Sequence, residues 1–281
     1  MPSIQLCALT KSPVHSTTAS TIVILTGEIP MTHAVIPGAE AWSHIGSGDV
    51  GALVIHGFTG NPSSMREVAE VFGAAGFHVE LPRLAGHGTT VEEMMDTRWA
   101  DWTRDAEQAL ARLRMRCSKI VVVGLSMGGA ITLWLASRHI DLAGIVCINP
   151  TTQSSAKKLF GARLAVKMGK KSLPAIGSDI ADPAVKESSY DATPLAAAVS
   201  LFADGLKPLS KKYPAITIPL LLITSTNDHV VNPQESAFLM GTYGGTAEQV
   251  MLERSFHVAT QDYEKDVIHT RALEFAKRVT A

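Results

Sequence analysis

Ser126, Asp228 and His257 offer a hydroxyl, a carboxylate and an imidazole, the three groups that together attack a carbonyl carbon. A serine hydroxyl is a poor nucleophile alone. A histidine must take its proton as the acyl bond forms and return it to the leaving alkoxide, while the acid fixes the imidazole tautomer and stabilises its charged form. Ser126 is singled out by its setting, Gly124-Leu125-Ser126-Met127-Gly128-Gly129, preceded by the apolar run over 120–123 and followed by Ala130, Ile131, Leu133, Trp134 and Leu135. The first run suits a strand buried on both faces and the second starts a helical pattern. A nucleophile at that corner needs an unusual backbone conformation and almost no side-chain bulk on either side, hence the two flanking glycines. G-x-S-x-G alone also fits a plain strand-to-helix turn. Its place between an apolar strand and a helix makes it a nucleophile elbow.

The acid and the base are read from position. Asp228 follows the strand-like run 218–224 and His257 follows 249–252, so each stands just past the C-terminal end of a predicted strand. His229 adjoins the acid and is read as pointing away; His139 and His269 lie in helical stretches and are read as surface residues. The serine argues against epoxide hydrolase and dehalogenase chemistry, where an aspartate holds the corner. A second loop must complete the chemistry. The buried strand 51–55 runs into His56-Gly57-Phe58-Thr59-Gly60, whose glycines would let the chain turn sharply. The expected oxyanion-hole donors are the backbone N–H groups of Phe58 and Met127, with His56 bracing the loop by hydrogen bonds.

Strand and helix patterns alternate through 64–75, 77–81, 101–116 and 143–148, and a last helix is predicted over 263–279. That alternation predicts a parallel sheet with helices on both faces. Residues 82–88 read as a shaped turn and not as a ligand site. Between 150 and 213 regularity breaks, with no strand-like apolar run but more apolar residues than an exposed loop would carry. We read a core over 31–149 and 214–281, a helical cap inserted over 150–213, and a poorly ordered extension over 1–30 with Met31 as an alternative start.

At 281 residues, 46% hydrophobic and 18% charged, the chain can bury one large core. Twenty-five basic residues against 26 acidic ones leave no electrostatic footprint for nucleic acid. Cys7, Cys117 and Cys147 have no C-x-x-C spacing and read as free thiols in a reducing compartment. No apolar run approaches the roughly 18 residues of a membrane span. The expected location is cytoplasmic, with peripheral membrane contact through the cap. There, Lys157, Lys158, Arg163, Lys167, Lys170 and Lys171 make a basic, solvated face.

From about His33 onward, His56-Gly57-Phe58-Thr59-Gly60, Leu81-Pro82-Arg83-Leu84-Ala85-Gly86-His87-Gly88, the elbow, Ile176-Gly177-Ser178-Asp179, Asp228-His229-Val230-Val231 and Ser255-Phe256-His257-Val258-Ala259-Thr260 resemble the blocks of bacterial monoacylglycerol lipases and related small carboxylesterases. The order Ser126, Asp228, His257 is that of an α/β-hydrolase triad. The resemblance implies an α/β-hydrolase fold: a mostly parallel central sheet, helices on both faces, and a helical cap inserted after the strand ending near Ile148. It implies hydrolysis of a lipid ester, a monoacylglycerol, to glycerol and fatty acid with no metal and no organic cofactor. It also implies Asn149, the Ile176 backbone and the Glu187 carboxylate around the alcohol. A general carboxylesterase or an acyl thioesterase would use the same triad, and a non-catalytic binding protein is a third reading.

Overall fold

The computed structural model describes residues 33–175 and 178–281, so the expectations for residues 1–30 and for Ile176 lie outside the described residues. The fold opens with β1 (Trp42–His44) and β2 (Val50–Ile55), followed by α1 (Arg66–Ala74), β3 (His78–Leu81), α2 (Val91–Met95) and α3 (Trp99–Arg114). Next come β4 (Lys119–Leu125), α4 (Met127–Ala136) and β5 (Gly144–Ile148). Seven strands form one sheet in the order β1-β3-β2-β4-β5-β8-β9, where β8 is Leu220–Ser225 and β9 is Ala247–Leu252; β1 alone runs antiparallel.

Period two along the central strands divides the core. Leu53 and Ile55, Ile120 and Val122, Ile145 and Cys147, and Leu220 and Leu222 face one side, where they meet α3 and α4. Ala52 and Val54, Val121 and Val123, Val146 and Ile148, and Leu221 and Ile223 face the other, where α1 and the C-terminal helix cover them. Burying one such side chain is worth about 1.5–3 kcal/mol. Strands covered on both faces therefore read as unbroken apolar runs instead of alternating ones.

Between β5 and β8 lie α5 (Ala156–Lys167), a two-stranded antiparallel ribbon of β6 (Ser172–Pro174) and β7 (Ala192–Pro194), and α6 (Leu195–Ser200), which passes through a π-helical turn (Leu201–Leu206) into α7 (Lys207–Leu209). The ribbon departs from the strand-free reading of this stretch. With three residues per strand and a proline closing each, it carries no apolar run to detect. After β8 come α8 (Gln234–Thr242) and, beyond β9, α9 (Lys265–Thr280). Ser126, Asp228 and His257 all follow C-terminal ends of parallel strands of this sheet, β4, β8 and β9, so the three meet at one edge of it.

Candidate active site

Ser126 occupies the corner between β4 and α4 with φ 57° and ψ −116°, a conformation that costs energy for any residue bearing a side chain. The flanking glycines serve close approach, since neither has a positive φ. A Cβ on Gly124 would lie 2.2 Å from the Gly128 carbonyl oxygen, and one on Gly128 would lie 2.2 Å from that of Ile55. Gly129 likewise faces Pro150, whose Cβ would be 2.7 Å away. The strained serine is held by its own amide, which donates to the Ile148 carbonyl (2.9 Å) at the end of β5.

Asp228 and His257 are joined. His257 Nδ1 donates to Asp228 Oδ2 at 2.7 Å, and Asp228 Oδ1 accepts the amides of Val230 and Val231, each at 2.8 Å. The two side chains are 2% and 8% exposed, so this charge-assisted bond is shielded from water. With Nδ1 engaged, Nε2 is the nitrogen left to handle a proton. Ser126 and His257 line one cavity of about 470 Å³.

The loop after β2 reaches the same cavity. A Cβ on Gly57 would lie 3.3 Å from Ser126 Cβ and 3.9 Å from its Oγ, so the Phe58 amide stands beside the serine. Met127 opens α4, where a backbone N–H has no acceptor within its helix. Among the described residues, neither the Phe58 nor the Met127 amide makes a backbone hydrogen bond outside the regular elements. The sharp turn is taken at Thr59 (φ 62°) and not at the glycines, with Thr59 Oγ1 donating to the Phe58 carbonyl (2.6 Å). His56 braces the loop: its Nδ1 donates to the Gly57 carbonyl (2.9 Å) and its Nε2 accepts the Leu84 amide (3.2 Å). Burial, and then His87 beside it, hold the His56 imidazole well below its ordinary value, so it stays neutral.

The family described as "Serine aminopeptidase, S33" matches residues 51–264. Over 247 residues the chain is 41% identical to the thermostable monoacylglycerol lipase of Bacillus sp. (strain H-257), a match spanning 86% of this chain and 96% of that one. It is 25% identical to a carboxylesterase of Bacillus subtilis (strain 168), over 83% of this chain and 94% of that one. A metagenome-derived lipolytic enzyme superposes with a TM-score of 0.82 at 40% identity, covering 87% of this chain and all of that one. The chain belongs to the serine aminopeptidase S33 family of α/β-hydrolases.

In this hydrolase the residues expected around the alcohol separate. Glu187 lines the cavity, and a Cβ on Gly60 would lie 3.0 Å from its Oε1, which sets the carboxylate beside the loop after β2. Burial pushes its carboxyl up, and His257, a hydrogen bond from Ser189, and Asp179 act on it in turn. Asn149 is not among the cavity-lining residues. Its φ of 43° turns the side chain toward β8 and the histidine loop: Nδ2 donates to Ser225 Oγ (3.0 Å) and the His257 carbonyl (2.8 Å), while Oδ1 accepts the Ser225 amide (2.7 Å). The resemblance implied a substrate contact; here the backbone conformation and these hydrogen bonds make Asn149 a brace. His229 turns from the acid to Asp179, with Nδ1 and Oδ1 2.8 Å apart. Asp179 went unassigned in the sequence because its partners lie 50 and 78 residues away, and only its place in the Ile176-Gly177-Ser178-Asp179 block marked it.

Proposed function

We propose that this carboxylic ester hydrolase cleaves monoacylglycerols to glycerol and a fatty acid through an acyl-enzyme on Ser126. The character of the cavity is the observation that carries the reading. Leu201 and Phe202 from the π-helical turn, with Ala198 and Val230, give it apolar wall. Its charged groups are Asp179, Glu187 and Glu235, and among the described residues no lysine or arginine lines it. An apolar chain and a neutral, hydroxyl-bearing alcohol suit those surfaces. An acyl-CoA does not, because its phosphates call for cations or clustered backbone amides. Residues 150–213 act as the cap that closes the site, supplying half of the residues that line the cavity.

In the proposed mechanism His257 Nε2 takes the Ser126 proton as Oγ attacks the ester carbonyl, and the Phe58 and Met127 amides receive the oxyanion. Asp228 keeps the imidazole in the tautomer that leaves Nε2 free and stabilises the imidazolium. The proton passes to the departing glycerol, and water then repeats the sequence on the acyl-enzyme. Glu187, beside the triad histidine and the oxyanion loop, accepts from the glycerol hydroxyls. Such a charge-assisted bond is worth about 1.5–3 kcal/mol. α5 and the turn after it present Phe160, Leu164 and Met168 to solvent among exposed Lys157, Arg163, Lys167 and Lys170, a face suited to peripheral contact with an anionic lipid surface.

The test compares Glu187→Leu with the unaltered enzyme on a monoacylglycerol and on the nitrophenyl ester of the same acid. We expect kcat/KM to fall by about tenfold or more on the first and much less on the second. Equal losses would make Glu187 a structural carboxylate. A fluorophosphonate that labels the enzyme but not Ser126→Ala, together with faster turnover of monoacylglycerol than of acyl-CoA of equal length, is the wider expectation. Preference for the thioester would overturn the proposal.

A further inference from the structure

The loop that carries the base is held in an unusual way. Six consecutive amides, Glu253 to Val258, all donate to acceptors outside the loop. Glu264 takes the first three (3.2, 2.9 and 2.8 Å), Asp262 takes Phe256 (2.8 Å), the Asp179 carboxylate takes His257 (3.1 Å) and the Asp179 carbonyl takes Val258 (3.1 Å). Burial alone would push Glu264 up, but the hydrogen bonds from Arg254, Ser255 and Glu253 bring its carboxyl below the usual value. No helix or strand runs through residues 253–258, so these side chains stand in for the ladder that a regular element would supply.

Asp179 differs from the other two acceptors. Asp262 and Glu264 follow His257 within a few residues and brace their own neighbourhood. Asp179 comes from the stretch between β5 and β8, 78 residues away, and its Oδ2 accepts two amides at once: that of His257 and that of His229, each at 3.1 Å. His229 is the residue after Asp228. One buried carboxylate oxygen thus sets the distance between the two loops whose side chains must meet at 2.7 Å. The segment bearing Asp179 is itself fixed, because Asp262 accepts the amides of Ala181 (2.7 Å) and Asp182 (3.1 Å).

We propose that Asp179 is a positioning residue for catalysis, a clamp between the acid loop and the base loop that sets the Asp228–His257 hydrogen bond. The proposal rests on the reading of Ser126, Asp228 and His257 as the catalytic triad. It assigns Asp179 no contact with the reacting atoms. Its removal leaves the His257 and His229 N–H groups without their shared acceptor, and loops so released move the imidazole from the geometry that proton transfer requires.

The test measures Asp179→Ala and Asp179→Asn on a short nitrophenyl ester. The ester's alcohol makes no use of Glu187. Asn keeps one oxygen for the two amides and presents its amine to the exposed His229 ring. For Asp179→Ala we expect kcat to fall about thirtyfold or more with KM within about twofold, and the low-field proton resonance of His257 Nδ1–H to weaken or broaden; Asp179→Asn recovers most of the rate. His229→Ala, which removes the ring and leaves the amide, keeps nearly full activity. If Asp179→Ala retains kcat within about threefold while Ser126→Ala is inactive, the clamp is refuted and the triad stands. Should Asp179→Ala not fold, Asp179→Asn decides alone: a folded Asn variant as slow as Asp228→Ala overturns the proposal, because its acceptor oxygen is intact. An active Ser126→Ala enzyme would instead overturn the triad reading beneath it.

Discussion

Removing the Ser126 hydroxyl, the His257 imidazole or the Asp228 carboxylate singly is expected to abolish most turnover without unfolding the protein. The three act as one unit, so Ser126→Ala combined with His257→Ala should be scarcely slower than either alone, in kcat measured at saturating ester. Additive losses would deny the shared proton path. Glu187 adds a dependence on pH. Its carboxyl is raised by burial, so the folded protein holds that proton more tightly than the unfolded chain does. Stability then declines as pH rises from the ordinary carboxylate value through the elevated one. Glu187→Gln removes the decline and should raise Tm at neutral pH by about 1–3 °C in calorimetry, while lowering the preference for monoacylglycerol. The placing of Ser126, Asp228 and His257 was legible because each sits past a strand end marked by its neighbours. Asn149 and Asp179 were misjudged or unassigned, since a φ of 43° and contacts across 78 residues leave no local trace.

Among the elements, the elbow tolerates least. A methyl group on Gly128 would press to 2.2 Å from the Ile55 carbonyl oxygen, where both atoms belong to the packed joint of β2, β4 and α4. Close-packed interiors cannot yield that much space without moving a strand. Gly128→Ala should therefore give little soluble protein, whereas Gly161→Ala, on the exposed α5 with open space where its Cβ would stand, should express normally with Tm unchanged or slightly raised. Soluble, active Gly128→Ala would refute the close-approach reading. The long apolar strands and the long amphipathic helices announced themselves by period. β1, β6 and β7 did not, because three residues cannot establish a period and two of these strands end in proline. The loop after β2 taught a different lesson: glycines signalled the turn, yet the positive φ fell on Thr59.

Across the whole molecule, the fold was legible because both faces of the sheet are buried, which forces apolar runs at regular intervals. The stretch between β5 and β8 was legible only as an interruption, since its fit to the core depends on contacts at a distance and not on period. That stretch also brings Leu201 and Phe202 to the cavity, the wall proposed for the acyl chain. Each methylene buried against Leu201 and Phe202 should contribute up to about 0.8 kcal/mol, so 1/KM ought to rise with chain length and then level off when the cavity is full. Leu201→Trp should move the plateau to shorter chains in a nitrophenyl ester series, and an unchanged plateau would exclude this wall as the chain's seat. The cavity's charges also bear on product release. The ester enters neutral, but the acid that leaves the acyl-enzyme is an anion, born in a chamber that already holds Asp179, Glu187 and Glu235 and, among its described lining, no cation to detain it. Hydrolysis thus turns a neutral guest into a like charge, and the repulsion that arises only after bond cleavage is expected to favour release of the product, so added fatty acid should inhibit ester turnover only weakly.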